Sequence, residues 1–188
     1  MKFFKKPAFA FLLVIVLVIA ATLTSVRITF TKRCNEVINT FYEGVPNEYG
    51  ERDTSIFSQL EVIEAESQKI LSVGLKYNTD MDNLDYAIGS LSLAYVYDYD
   101  EASYYYFWYD ELLSEVRIAV QLITTLEEAT EADLEAVMNS VAAIEKASEL
   151  ISQSGYNEYV RKFRQDELSF PTGELANLAG VHFPEYFK

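Results

Sequence analysis

The chain has 188 residues, half of them hydrophobic, with 15 Lys and Arg against 29 Asp and Glu, one His, one Cys, and only 7 Gly and 4 Pro. So few turn residues exclude a sandwich or barrel of many short strands, and so high an apolar fraction excludes a disordered chain. A single cysteine excludes an internal disulfide and a Cys-rich zinc site.

The first seven residues form a short basic tail carrying Lys2, Lys5 and Lys6. Every acid lies at or after Glu36, so without these three lysines the chain holds 12 basic residues against 29 acids, a net charge of -17. A domain that acidic repels phosphate backbones, whose neutralisation needs clustered Lys and Arg, so nucleic acid is not an expected partner.

Residues 8–26 carry no charge. As a helix, these 19 residues extend about 28 Å at roughly 1.5 Å per residue, which matches one bilayer core. A cleaved signal peptide is the competing reading, with Ala20-Ala21 as the small residues of a cut site. The run continues past the usual signal-core length through Thr22-Leu23-Thr24-Ser25-Val26 to Arg27, which favours an uncleaved anchor and a single-pass protein of the cell membrane. Cys34 follows Thr31-Lys32-Arg33 and lacks the small-residue setting of a lipoprotein acylation site. Basic residues flank the run on both sides, and the reading adopted places the short tail inside and the acidic domain outside the cytoplasm.

Residues 27–188 are expected to form one acidic, all-α domain. Arg27 to about Glu43 continues the anchor as a first helix, and Gly44–Arg52 forms a loop. Ile56, Leu60, Ile63, Ser67, Ile70 and Gly74 then recur at spacings of four and three, with Asp53, Thr54 and Ser55 available as caps. A second amphipathic helix follows Asp80 and Asp82, with Leu84, Ile88, Leu91 and Tyr95 on one face, and Asp98-Tyr99-Asp100 interrupts it. The third runs from about Glu101 to Glu128 with Tyr105, Tyr109, Leu112, Val116, Val120 and Ile123 in one arc. Thr130 and Asp133 have the layout of a capping box. The fourth helix places Leu134, Val137, Val141, Ile144, Ser148 and Ile151 on one face and is expected to run on until Pro171 ends it. Long helices with apolar stripes and short polar loops bury those stripes most simply as an antiparallel bundle of about four.

Catalytic and metal-binding constellations are not found. A carboxylate-bridged di-iron site requires a Glu-x-x-His pair on each of two helices, and the only histidine, His182, lies outside them near the C-terminus. Asp98-x-Asp100 opens like a calcium loop but places Ser103 where glycine is needed and Tyr109 where a bidentate Glu is needed. Cys34 has no activating neighbour in sequence, and no glycine-rich phosphate loop exists. The expectation is a protein that is not an enzyme, with no catalytic, cofactor or metal residues and no cofactor.

The third helix is unusual. Taking its core arc as centred between Leu112 and Leu113, Tyr105 and Tyr109 point inward, Tyr106 and Trp108 lie on the flanks, and Tyr104, Phe107, Ile118 and Leu122 lie on the far side. A helix apolar on two faces is either enclosed by neighbours or offers one face to a partner. Enclosure is the expectation, with Tyr104, Phe107, Ile118 and Leu122 as partner-surface candidates otherwise. Residues 170–188 contain Phe170, Pro171, Leu175, Leu178, Tyr186 and Phe187, too much apolar surface to trail in water. They are expected to dock on the bundle, with Gly173 to Ala179 as a short helix directing Leu175 and Leu178 inward.

Gly155-Tyr156-Asn157-Glu158-Tyr159-Val160-Arg161-Lys162-Phe163, then Phe170-Pro171, Leu175-Ala176, Gly180-Val181 and Pro184-Glu185-Tyr186-Phe187, resemble the closing signature of the LemA family. The motif-level likeness covers about the last 33 residues, and the likeness in layout spans the chain. The segment Phe57-Ser58-Gln59-Leu60-Glu61-Val62-Ile63-Glu64-Ala65-Glu66 replaces a basic segment usual in that family's first soluble helix. The resemblance implies a membrane-anchored long-helix protein without established catalysis and supplies no catalytic residues. The function expected is therefore a membrane-anchored, non-catalytic scaffold or protein-interaction module whose partners are the bilayer and a membrane or envelope protein. The alternative is an extracytoplasmic domain that binds a small cationic ligand through Asp98, Asp100, Glu101 and nearby tyrosines, or a hydrolase with an unrecognised site.

Overall fold

The computed structural model describes residues 7–96 and 102–188, and the expected interruption at Asp98-Tyr99-Asp100 lies outside them. Seven helices occur among the described residues: α1 Pro7–Glu43, α2 Ile56–Lys76, α3 Asp82–Val96, α4 Ala102–Thr124, α5 Glu131–Gln153, α6 Tyr156–Glu167 and α7 Thr172–Leu178. The described residues hold no strand, only an isolated antiparallel bridge between Pro46 and Arg52. By its contacts the chain divides into two compact units, residues up to 37 with 160–184, and residues 38–159 with 185–188.

In the first unit, α1 changes character along its length. From Phe11 to Ile19 its side chains stand outward, and the helix is long and apolar enough to cross a membrane. Beyond Val26 burial becomes one-sided, with Phe30, Cys34 and Val37 buried at helical spacing. Phe30 and Cys34 form a cluster with Ala176 and Val181, against which Val26, Phe163, Leu168, Ala179 and Phe183 pack. Arg164 fastens this arrangement, donating from Nε and Nη2 to the Pro184 carbonyl at 3.0 and 2.8 Å. Arg33 of α1 pairs with Glu167 at the end of α6.

In the second unit, α2 buries the residues its periodicity singles out, Ile56, Leu60, Ile63, Ser67, Ile70 and Gly74. Of the three candidate caps, Ser55 takes the position, its Oγ accepting from the Ser58 N–H at 3.0 Å. Asp53 does something else: its carboxylate accepts from the Val45 N–H at 2.5 Å and from the Gly155 N–H at 2.9 Å. That second bond marks where the fourth expected helix departs from the sequence reading. The helix ends at Gln153, long before Pro171, and α6 begins after Gly155. With the Gly155 N–H turned to Asp53, the helical ladder of α5 is not continued, and Ser154-Gly155 was the available breaker signal.

α2 and α5 pack along one another in opposite directions, since Lys76 meets Asp133, Glu66 accepts from Ser140 at 2.9 Å, and Asp53 meets Gly155. α3 and α4 form the other close pair, also opposed, with the Tyr105 hydroxyl donating to the Ala94 carbonyl at 3.1 Å. Met81 lies so close over Gly74 that a Cβ there would fall 2.3 Å from its methyl carbon. Rings of Phe41, Tyr105, Tyr156 and Phe187 pack together, with Tyr105, Tyr156 and Phe187 centred 5.2, 5.6 and 5.8 Å from Phe41.

The start of α5 is a polar knot. Thr130 Oγ1 accepts from the Asp133 N–H at 3.3 Å, as the capping-box spacing predicts. Tyr77 joins the end of α2 to it, accepting from the Thr130 N–H at 3.0 Å and donating to the Asp133 carboxylate at 2.5 Å. The Thr130 hydroxyl also donates to that carboxylate, and Lys76 adds a third donor at 2.6 Å. Lys76, then the Thr130 and Tyr77 hydroxyls, hold the Asp133 carboxyl well below the usual carboxylate range. A carboxyl depressed in the folded state contributes stability above its unfolded value of about 3.9, and that stability is lost as pH falls through the lower folded value. Asp133→Asn is therefore expected to lower the urea midpoint at pH 7, and its gap from the parent should narrow as pH falls below about 4. A gap that stays constant down to acid pH refutes this role.

Candidate functional site

The far face of α4 is not enclosed. Phe107 is 58% exposed, Ile118 49% and Leu122 41%, so the expected enclosure on both sides is corrected, while Tyr104 is half-buried. The reason lies in the packing: α4 turns Tyr105, Leu112, Val116, Ala119 and Ile123 into its contacts with α3, α2 and α5, and Phe107, Ile118 and Leu122 fall outside that buried arc. Tyr109, read as inward, is half-buried, its ring centred 5.6 Å from Phe187.

Turning about 100° per residue, Tyr104, Trp108, Glu111, Glu115, Ile118 and Leu122 fall within a narrow arc, with Phe107 at its edge. The face has three zones. At one end Trp108 packs edge-on against Phe107, Tyr104 and, from α3, Tyr86, at centroid distances of 4.9, 6.4 and 5.9 Å. Tyr86 is itself 68% exposed. Glu111 and Glu115 occupy the middle. Ile118 and Leu122 form the other end, where with Asp80, Met81, Asn83, Leu84, Glu115 and Ala119 they line a cavity of about 320 Å³. Tyr86, Glu111 and Glu115 escaped the sequence reading. The phase of α3, with Leu84, Ile88 and Leu91 inward, already turns Tyr86 out.

A second depression, about 550 Å³, lies between α2 and α3, lined by Glu61, Glu64, Gln68, Asp85, Ser92 and Tyr95 among others. Ser92 donates to Glu64. Burial first, then the charges of Glu64 and Glu61, raise the Tyr95 hydroxyl above the ordinary tyrosine range. Gly89 faces open space here. Asp98, Asp100 and Glu101, the acids proposed for a cationic ligand, lie outside the described residues.

The C-terminal candidates are distributed differently from expectation. Phe187 is buried, and Asn157 holds its N–H and C=O at 2.8 and 2.9 Å. Tyr186 is half-buried under the Lys188 ammonium, 4.6 Å from its ring centre. Leu175 and Leu178 do not point inward: they are 36% and 74% exposed, and Phe170 is 86% exposed, with Pro171 exposed beside it. α7 turns its small residue Ala176 to the core, which brings its backbone close to α1, and Val181 follows it. Gly173 permits the tight entry, because a Cβ there would lie 2.2 Å from the Leu168 carbonyl oxygen.

His182 is exposed. Cys34 is buried, which pushes its thiol up to about 11 against the opposing charge of Arg164. Among the described residues, no three His, Cys, Asp or Glu side chains gather in a way that could hold a metal ion. No protein-family profile, curated protein or solved structure matches the chain.

Proposed function

We propose that the chain is a membrane-anchored, non-catalytic helical scaffold of LemA-like type, whose antiparallel bundle presents the outer face of α4 to a membrane or envelope protein. α1 crosses the membrane once, and the acidic domain stands outside the cytoplasm. The observation that carries the reading is the exposed, three-zone face of α4, where Phe107, Ile118 and Leu122 stand in water. Covering the half of each such side chain that remains exposed contributes roughly 1 kcal/mol, which gives a partner reason to settle there. The C-terminal resemblance and the opposed pairs α2–α5 and α3–α4 support the rest of the reading.

A small-cation site is the weaker reading. The carboxylates of the α2–α3 depression come from two helices, and those of Glu61 and Asp85 lie in water, where an ion pair contributes only about 0–1 kcal/mol.

A photo-crosslinker placed at Ile118 in the full chain, expressed in its native membrane, is expected to capture one defined protein. Glu111→Lys with Glu115→Lys should abolish that product, and a crosslinker at exposed Ser152 of α5 should not yield it. The same adduct from both positions, or none from Ile118, would overturn the proposal.

A further inference from the structure

We infer that the exposed apolar residues around α7, Phe170, Leu175 and Leu178, form a collar that enters the bilayer interface beside the exit of α1. The inference rests on the reading of α1 as a membrane span, and it gives the C-terminal segment a lipid surface as its partner.

The first argument is position within the first unit. Val26 ends the uncharged run of α1, and it packs against the same cluster that holds Leu168, Ala176 and Ala179. α6 approaches this level along α1, since Glu167 at its end meets Arg33. The chain between Leu168 and Ala179 is thus tied to the stretch of α1 just beyond the run, Val26 to Cys34 spanning about 12 Å of helix rise. Amphipathic segments at a membrane surface sink their apolar residues roughly 5–10 Å into the headgroup boundary, a depth within reach of a collar so placed.

The second argument is exposure. Phe170 is the most exposed large apolar residue described, at 86%, and Leu178 stands at 74%. These residues are not left over from a failed core, because the small residues Ala176 and Ala179 take the inward positions of the same segment. A segment that turns its alanines inward and its Phe and Leu outward is built to meet an apolar medium outside it.

The third argument is charge. Residues 27–37 and 160–184 of the first unit carry six Lys or Arg (Arg27, Lys32, Arg33, Arg161, Lys162, Arg164) against four acids (Glu36, Asp166, Glu167, Glu174), a net of +2. The second unit carries six against twenty-five, a net of -19. The net negative charge of the protein thus lies outside the part that adjoins the span, and that part alone is not repelled by an anionic headgroup layer.

Hydroxyl-radical footprinting of the unaltered full chain tests this, in nanodiscs of phosphatidylcholine and phosphatidylglycerol loaded with one copy each. Three phenylalanines serve as probes, exposed in the chain at 70% (Phe11), 58% (Phe107) and 86% (Phe170). Exposure by the protein alone ranks Phe170 above Phe107 in labelling; a collar in lipid reverses that order and leaves Phe170 labelled several-fold less than Phe107. Phe170 labelled as strongly as Phe107 or more, with Phe11 protected, overturns the collar and leaves the anchor standing. Phe11 and Phe170 both labelled overturn both. Protection of Phe170 that appears only after membrane extract is added assigns the surface to a protein and refutes the lipid assignment.

Discussion

Replacing Leu112 with Ala is expected to destabilise the helical domain by about 2–5 kcal/mol, whereas Phe107→Ala, five positions earlier on the same helix, should cost at most about 1 kcal/mol. Leu112 has no exposed surface, so its truncation loses the transfer free energy of the removed carbons and leaves a void that close-packed neighbours fill only in part. Phe107 is 58% exposed and loses only an edge-on ring contact with Trp108. Urea unfolding of the two variants measures both effects. Equal midpoint losses would mean that α4 is covered on both sides in solution, and the exposed face on which the proposed function depends would not exist.

Gly44→Ala is expected to cost roughly 3 kcal/mol or more, although it adds only a single methyl group, at a buried position where α1 ends. Gly44 follows the last residue of α1 with φ +84°, and its N–H closes the helix on the Thr40 carbonyl at 2.9 Å. A side chain in that left-handed conformation is disfavoured by about 1–2 kcal/mol in itself. The clash adds to it: a Cβ would stand 2.0 Å from the Asp53 carbonyl oxygen, which is backbone and cannot swing away. Relief requires Asp53 to move, and Asp53 holds the Val45 and Gly155 N–H groups. Gly50→Ala provides the comparison, because it has a similar φ of +82° and no atom within 4 Å, so it should lose the conformational part alone. Thermal midpoints that fall equally for the two variants would refute the steric account.

Periodicity carried far in this chain. The six α2 residues selected by spacing are all buried, and the Thr130–Asp133 capping geometry follows from two letters three positions apart. Both depend on interactions within a few residues, where sequence and geometry are nearly the same information. The break at Ser154-Gly155 has a local breaker signal, but the Asp53 carboxylate that takes the Gly155 N–H comes from a hundred positions away in sequence, and a window of neighbours holds no trace of that bond. The face of α4 was legible as a phase but not as a state: Phe107, Ile118 and Leu122 lie opposite the core arc in any helix, while exposure depends on how many other helices reach them. The collar inverted for a related reason. Hydrophobicity points Leu175 and Leu178 inward, but close approach of α7 to α1 demands a small residue at the contact, and Ala176 takes it.

Cys34 turns the first unit into its own stopwatch. The chain's one thiol is 1% exposed and holds its proton up to about pH 11, so an alkylating reagent in neutral buffer meets neither a reachable nor an ionised sulfur while α1, α6 and α7 stay together. Each modification event must await an opening, and the labelling rate divided by that of a free cysteine gives the fraction of time the cluster spends apart. No dye, tag or substitution is needed, and the signal reports this unit alone, because the chain has no other thiol.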